Sequence, residues 1–414
     1  MKKTVMSLQH LLAMFGATVL VPILTGFNPA VAIFCAGVGT LIFHACTGGK
    51  VPVFLGSSFA FIPVILAAKE AYGGDLAYAQ GGIMVAGLIY VIMSFAVKAV
   101  GIDKIKKYFP PQVTGAMIGV IGLNLLPTAF NMASSNFLIA IITLGIAFCI
   151  NKFAKGFIKQ LGILIAVISG YVICLAMGLV DVSTITQASL VEIPKFTLPK
   201  FSLEAIVIIA PVVLAVFMEH IGDMTTNGAV VGKNFIENPG LNKTLLGDGL
   251  ATMVAGFLGG PANTTYGENT AVLAITKNYD PSLLRRTAVF AIILSCIGKF
   301  GGFLQSIPQA VMGGISILLF SMITFVGFKT IKDGECTQNK NNIIIIATIM
   351  IIGLGTTYLG NKGIVIGIPI TEAVSITGLS LSAIVGVILN RILNNSEFKA
   401  KEDTKNVSPQ ATIV

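Results

Sequence analysis

The chain is expected to be an all-α polytopic membrane protein, with fourteen transmembrane segments in two inverted repeats of seven. Three observations carry that expectation. Of the 414 residues 55% are apolar and 11% charged, and the mean hydropathy is +0.88, values outside the range of a soluble domain of this size. Apolar stretches recur along nearly the whole length. Lysine and arginine gather on one side of an alternating path. The 45 glycines suit transmembrane helices that pack closely or break at membrane depth.

Taken in order, the apolar stretches are 5–25, 29–46, 56–68, 79–98, 111–129, 136–150, 158–179, 205–224, 243–258, 264–276, 286–303, 308–328, 341–359 and 376–393. Met1-Lys2-Lys3 leads into the first without a small-residue cleavage site, so no cleavable signal peptide is read there. Several stretches are too short to cross ~30 Å of hydrocarbon alone. The tail 394–414 is polar and charged, and is expected to be poorly ordered. The six cysteines show no CxxC or metal spacing, so no metal, disulfide or cofactor is expected.

With the N-terminus in the cytoplasm and fourteen crossings, 22 of the 27 basic residues fall inside, among them Lys104, Lys106, Lys107, Lys155, Arg285 and Arg286. Lys69, Lys195, Lys200, Lys299 and Lys362 remain outside. A wrong number of spans would scramble this asymmetry. The net charge of +9 is therefore a topology signal and not a nucleic-acid footprint.

The chain also repeats itself. Gln9-His10 answers Glu219-His220, and Gly37-Val38-Gly39 answers Gly247-Asp248-Gly249. Pro52 and Pro261 stand seven residues before Phe59 and Glu268 respectively, and Pro111-Gln112 answers Pro308-Gln309. Seven is odd, so the second copy starts on the opposite side and the repeats are inverted, a common transporter plan with substrate at their interface.

Two corresponding stretches, 51–66 and 260–275, open with Gly, Pro, Ser, Thr or Asn and become helix-like only later. Proline lacks an N–H and Ser, Thr and Tyr favour extended backbone, so each reads as a short extended run leading into a half-helix. Irregular backbone is tolerated at membrane depth only where protein or a polar cavity satisfies it. Glu219, in the stretch 214–232, and Glu268, in 259–276, sit in apolar surroundings without flanking Lys or Arg. Ionisable groups there cost ~2.5–3.5 kcal/mol each and are rarely idle.

The segments SLQHLLAMFGATVLVP, GSSFAF, EHIGD and NTTYGEN resemble the nucleobase/ascorbate transporter family (nucleobase:cation symporter type 2), closest to its bacterial uracil-transporting members. The resemblance runs from Met6 to about Ile392. It implies short antiparallel strands in segments 3 and 10. It also implies a core domain of 1–98 and 204–303, a gate domain of 99–203 and 304–393, and a cytoplasmic tail over 394–414. The base would be bound by the side chains of Glu219 and Glu268 and by the backbones at Phe59 and Gly267. A homodimer through the gate domain, in a bacterial cytoplasmic membrane with both termini inside, is implied as well.

The chemistry agrees. Uracil carries two N–H donors and two carbonyl acceptors, and two ionised carboxylates are acceptors only. An anion would be repelled by that pair, and purine-specific relatives commonly show Gln where this chain has Glu268, which tips the reading toward a pyrimidine, with xanthine or urate as the alternative cargo. No nucleophile–base pair or phosphate loop stands out, so an enzyme is not expected. A carboxyl in an apolar site can exchange a proton near neutral pH, which makes Glu219 the candidate carrier. Asp223, one turn on, stands where some uracil transporters have His. It can share that proton or contribute oxygen to a Na⁺ site. His10 and His220 are candidates for bracing the site. His44 has no evident polar partner and is given no role, and Asp248 is read as a helix brace.

Overall fold

The computed structural model describes residues 2–101, 110–360, 362–364, 366–369, 375–376 and 378–394. Lys104, Lys106 and Lys107 lie outside the described residues, as does the tail beyond Asn394 with the expectation about its order. The principal helices are α1 (Lys2–Thr25), α2 (Pro29–Cys46), α3 (Ile62–Ala71), α4 (Leu76–Val100), α5 (Pro111–Ala133), α6 (Phe137–Phe153) and α7 (Gly162–Ala176). They continue as α8 (Val213–Val231), α9 (Leu241–Leu258), α10 (Gly267–Thr276), α11 (Pro281–Ser295), α12 (Gln309–Asp333), α13 (Lys340–Gly360) and α14 (Gly378–Leu393). Each falls on one of the apolar stretches read from the sequence.

Seven helices among the described residues are long and apolar enough to cross a membrane. The pair Pro281–Ser295 and Gly298–Gln305, bent by 82°, makes an eighth candidate. Helix starts follow local chemistry. Asn28 and Asp75 cap α2 and α4, accepting from Ala30 N at 2.8 Å and Ala77 N at 3.0 Å, while Pro29 fills a first-turn position whose N–H has no use. Asp280 caps α11 through Ser282 N at 2.9 Å and pairs with Lys3 at 2.8 Å. The Lys3 ammonium, followed by the donors of the helix start, holds the Asp280 carboxyl down at about 2.

The helices pack as two groups. In one, α9 lies against α4 and α2, and α11 against α2 and α1. In the other, α5 lies against α12 and α13, with α6 on α12 and α14 on α13. Small residues let the backbones meet at the main crossings. A Cβ on Gly249 would stand 2.9 Å from Gly87 O, and one on Gly115 2.7 Å from Gly327 O. Such approach replaces the hydrophobic drive that lipid cannot supply.

Hydrogen bonds and ion pairs tie connecting segments together. Lys50 Nζ donates to Asn238 Oδ1 (3.0 Å), Asn394 Nδ2 to Asn342 Oδ1 (3.0 Å) and Lys3 Nζ to Asp280 (2.8 Å). Lys200 pairs with Asp75 (2.8 Å) and Gly298 N donates to Leu190 O (3.2 Å). Every pair joins segments that lysine counting puts on one side.

Two very short strands interrupt the helical pattern at the centre, β1 (Leu55–Ser57) and β2 (Asn263–Thr265). They pair antiparallel in the register Leu55↔Thr265, Gly56↔Thr264, Ser57↔Asn263. A second small ladder, Ile368–Pro369 with Ser375–Ile376, precedes α14 and has no counterpart in the sequence reading.

Candidate functional site

The β1–β2 pair is fully buried, and its spare backbone groups are met by side chains. Thr40 Oγ1 on α2 accepts from Leu55 N at 2.9 Å, and Thr252 Oγ1 on α9 donates to Asn263 O at 3.0 Å. Asn263 Nδ2 donates to Cys35 O (3.1 Å) and Asn227 Nδ2 to Pro52 O (3.1 Å). These bonds are what allow extended backbone at this depth. Tyr266 locks the end of β2: its N–H donates to Phe54 O (3.0 Å) and its hydroxyl to Ser57 O (3.0 Å). Its ring lies on Gly56, where a Cβ would meet the ring carbons and stand 2.7 Å from the hydroxyl. Gly56→Ala is expected to push the ring off the strand, cost about 1–3 kcal/mol of stability as overpacking, and weaken ligand binding; thermal unfolding and equilibrium binding of the purified variant check both.

Each strand feeds a helix start. β1 runs through the turn Phe59–Phe61 into α3, and β2 runs through Tyr266 into α10. Neither Ser58 nor Tyr266 makes a side-chain cap bond, so first-turn N–H groups are left for a ligand. At Gly267 nothing stands within 4 Å of where a Cβ would be.

Both starts border a cavity of about 1280 Å³ between the two helix groups. One wall is polar. Glu219, Gly222, Asp223 and Thr226 line it from a single face of α8, at spacings of three and four residues, and Gly267 and Glu268 line it from α10. The lining from α5 and α12 is mainly apolar, with Ile118 and Ile121 from α5 and Leu319, Met322, Ile323 and Val326 from α12, though Gln112 and Thr114 on α5 also line it. Phe59 also lines the cavity, edge-on to Phe320 with ring centres 6.4 Å apart. Helix-end and loop residues Pro110, Gln160, Thr330 and Asn394 line it as well.

Phe59, Glu219, Gly267 and Glu268, the four residues expected to hold the ligand, therefore share one cavity. Among the described residues no other side chain donates a hydrogen bond to Glu219 or Glu268. Asp223 lines the cavity as well, but its Oδ2 already accepts from Thr265 Oγ1 at 2.6 Å.

His10 and His220 stand behind the lining. His220 Nε2 meets Thr244 Oγ1 at 3.0 Å and its Nδ1 lies 3.4 Å from Asp248 Oδ2, both residues fully buried. His10 receives Asn269 Nδ2 on its carbonyl at 3.0 Å, which ties α1 to α10. The reading of His44 needs correction: its Nε2 lies 3.0 Å from Val53 O, a partner that folding brings from nine residues away. Thr265 and Tyr266 went unassigned, although both sit in the NTTYGEN segment. Thr40 and Thr252 gave no sequence signal.

Comparison with known proteins follows from this geometry. The profile of the Permease family matches residues 1–361. The chain is 40% identical over 405 residues to a probable uracil permease of Haemophilus influenzae, covering 95% of this chain and 94% of that protein. It is 41% identical over 404 residues to the uracil permease of Bacillus caldolyticus, covering 94% and 91%. The transmembrane domain of the cyanobacterial bicarbonate transporter BicA superposes with a TM-score of 0.64 at 16% identity, over 94% of this chain and 96% of that one. The last likeness concerns the fold alone.

Proposed function

The chain belongs to the nucleobase/ascorbate transporter family, and on that premise we propose that it imports uracil across the bacterial cytoplasmic membrane by proton symport. The observation that carries this reading is the meeting, in one cavity, of two carboxylates that accept from no other side chain and two helix starts without a side-chain cap. Two acceptors and a set of backbone donors are what the imide edge of a pyrimidine requires. Charge-assisted hydrogen bonds are worth about 1.5–3 kcal/mol each, enough for a selective site. No reacting group is needed, in keeping with relatives that are named as permeases.

In this reading fourteen segments form two inverted repeats. The antiparallel pairing of β1 with β2 and the packing of α5 on α12 support it, because both join elements that correspond between the halves. Core (1–98, 204–303) and gate (99–203, 304–393) follow the two helix groups. The cavity, whose lining continues to the loop and helix-end residues Pro110, Gln160 and Asn394, is read as the cytoplasm-facing state of an alternating-access cycle. Uptake of labelled uracil by cells lacking their own permease tests the cargo. Accumulation of xanthine or urate in its place would overturn the pyrimidine assignment.

The orientation is testable separately. A single cysteine at Lys155→Cys should react with an impermeant thiol reagent only from the cytoplasmic side, and one at Lys195→Cys only from outside, in a background with the native cysteines replaced. Outside labelling at position 155 would overturn the orientation and the inverted repeat together.

A further inference from the structure

Away from the transport cavity, a smaller pocket of about 300 Å³ opens between α2 and α11, lined by Leu41, Ser282, Arg285, Arg286, Val289 and Phe290. The two helices are tight one turn away, where a Cβ on Gly37 would stand 2.7 Å from Ala288 O. The pocket begins where Leu41 follows on the same face of α2. Its floor is apolar and its upper edge carries two guanidiniums.

Among the described residues neither Arg285 nor Arg286 has an acidic partner. The nearest acid along the helix, Asp280, is already taken by Lys3 at 2.8 Å and by the start of α11. The hydroxyl of Ser282 is buried and makes no hydrogen bond. Arg285 occupies space kept free by Gly49, where a Cβ would stand 2.9 Å from its Nη1. Down the same side of α11, Val289 and Ile293 are 45% and 57% exposed. An apolar stripe on α11 thus ends in two unneutralised cations near the start of that helix, where Asp280 pairs with Lys3.

We propose that this pocket binds an anionic phospholipid, with its phosphate between Arg285 and Arg286 and one acyl chain along Leu41, Val289 and Ile293. Arginine presents a planar fork that suits phosphate oxygens. A basic pocket between helices at the inner leaflet is where acidic headgroups collect. The apolar stripe below the charges favours a lipid over a soluble phosphate, since a free anion would leave that surface unused.

Native mass spectrometry of the purified protein, offered phosphatidylglycerol and phosphatidylcholine in equal amounts, tests this. We expect the wild type to retain phosphatidylglycerol about tenfold better, and Arg285→Ala/Arg286→Ala to lose that preference. Lys152→Ala/Lys155→Ala, which removes two cations elsewhere, should keep it. Arg285→Lys/Arg286→Lys should keep part of it, because charge remains while the fork is lost. Uracil binding by the alanine pair should match wild type, which separates loss of the lipid from loss of the fold. Equal retention of both lipids by the wild type, or an unchanged preference in the alanine pair, overturns the assignment. Displacement of the lipid by inorganic phosphate alone would make the pocket a soluble-anion site and overturn it equally.

Discussion

Purified Glu268→Gln protein should bind uracil at least about tenfold more weakly than wild type, a loss of about 1.4 kcal/mol or more. Glu268 sits in the first turn of α10, beside the open position of Gly267, and faces the cavity with no other side chain donating to it. Replacing one carboxylate oxygen by an amide NH₂ removes a charged acceptor, or turns a donor toward a ring N–H. The swap is nearly isosteric and the side chain borders open space, so the fold should survive. Isothermal titration beside a thermal unfolding curve separates binding from stability. Unchanged affinity would remove Glu268 from the site.

Glu219→Gln should abolish accumulation driven by a proton gradient while leaving some binding. An amide cannot cycle a proton, yet its carbonyl still accepts one hydrogen bond. Glu219 lines the cavity one turn before Asp223, and the two are placed to influence one another. Asp223 is already held by Thr265 at 2.6 Å, which leaves Glu219 the freer of the pair. Asp223→Asn should therefore alter the pH dependence more than the affinity. Proteoliposomes with imposed pH or Na⁺ gradients decide the matter: accumulation that follows Na⁺ and ignores pH would refute the proton mechanism and make Asp223 a cation ligand.

Much of this molecule could be read from the chain because its strongest signals are local. The apolar stretches are continuous, and the extended runs announce themselves through Pro52, Pro261 and the Ser/Thr residues after them. Glu219 and Glu268 stand out because a carboxylate is out of place in such surroundings. What escaped is what depends on long-range approach. Nothing local says that Thr40 will reach Leu55 N, that the Tyr266 ring will cover Gly56, or that His44 will find Val53 O. A threonine or histidine in an apolar helix looks the same whether or not its partner arrives. The small ladder before α14 was missed for a related reason, since two-residue strands carry no periodicity.

The asymmetry of the cavity has a mechanical consequence. The charged groups of the cavity all come from one side, α8 and α10, and β1–β2 ties the two strand-linked helix starts on that side into a single piece. From α5 and α12 the lining is mainly apolar, and Ile118, Ile121, Leu319, Met322, Ile323 and Val326 offer dispersion contact, which has little angular preference. In the proposed alternating-access cycle such a surface would slide past a held ligand as a smooth bearing, with few hydrogen bonds to break midway. The grip on the cargo would then be alike on both sides of the membrane, and the machine would have no preferred direction of its own. Which way cargo flows is left to the gradients across the membrane.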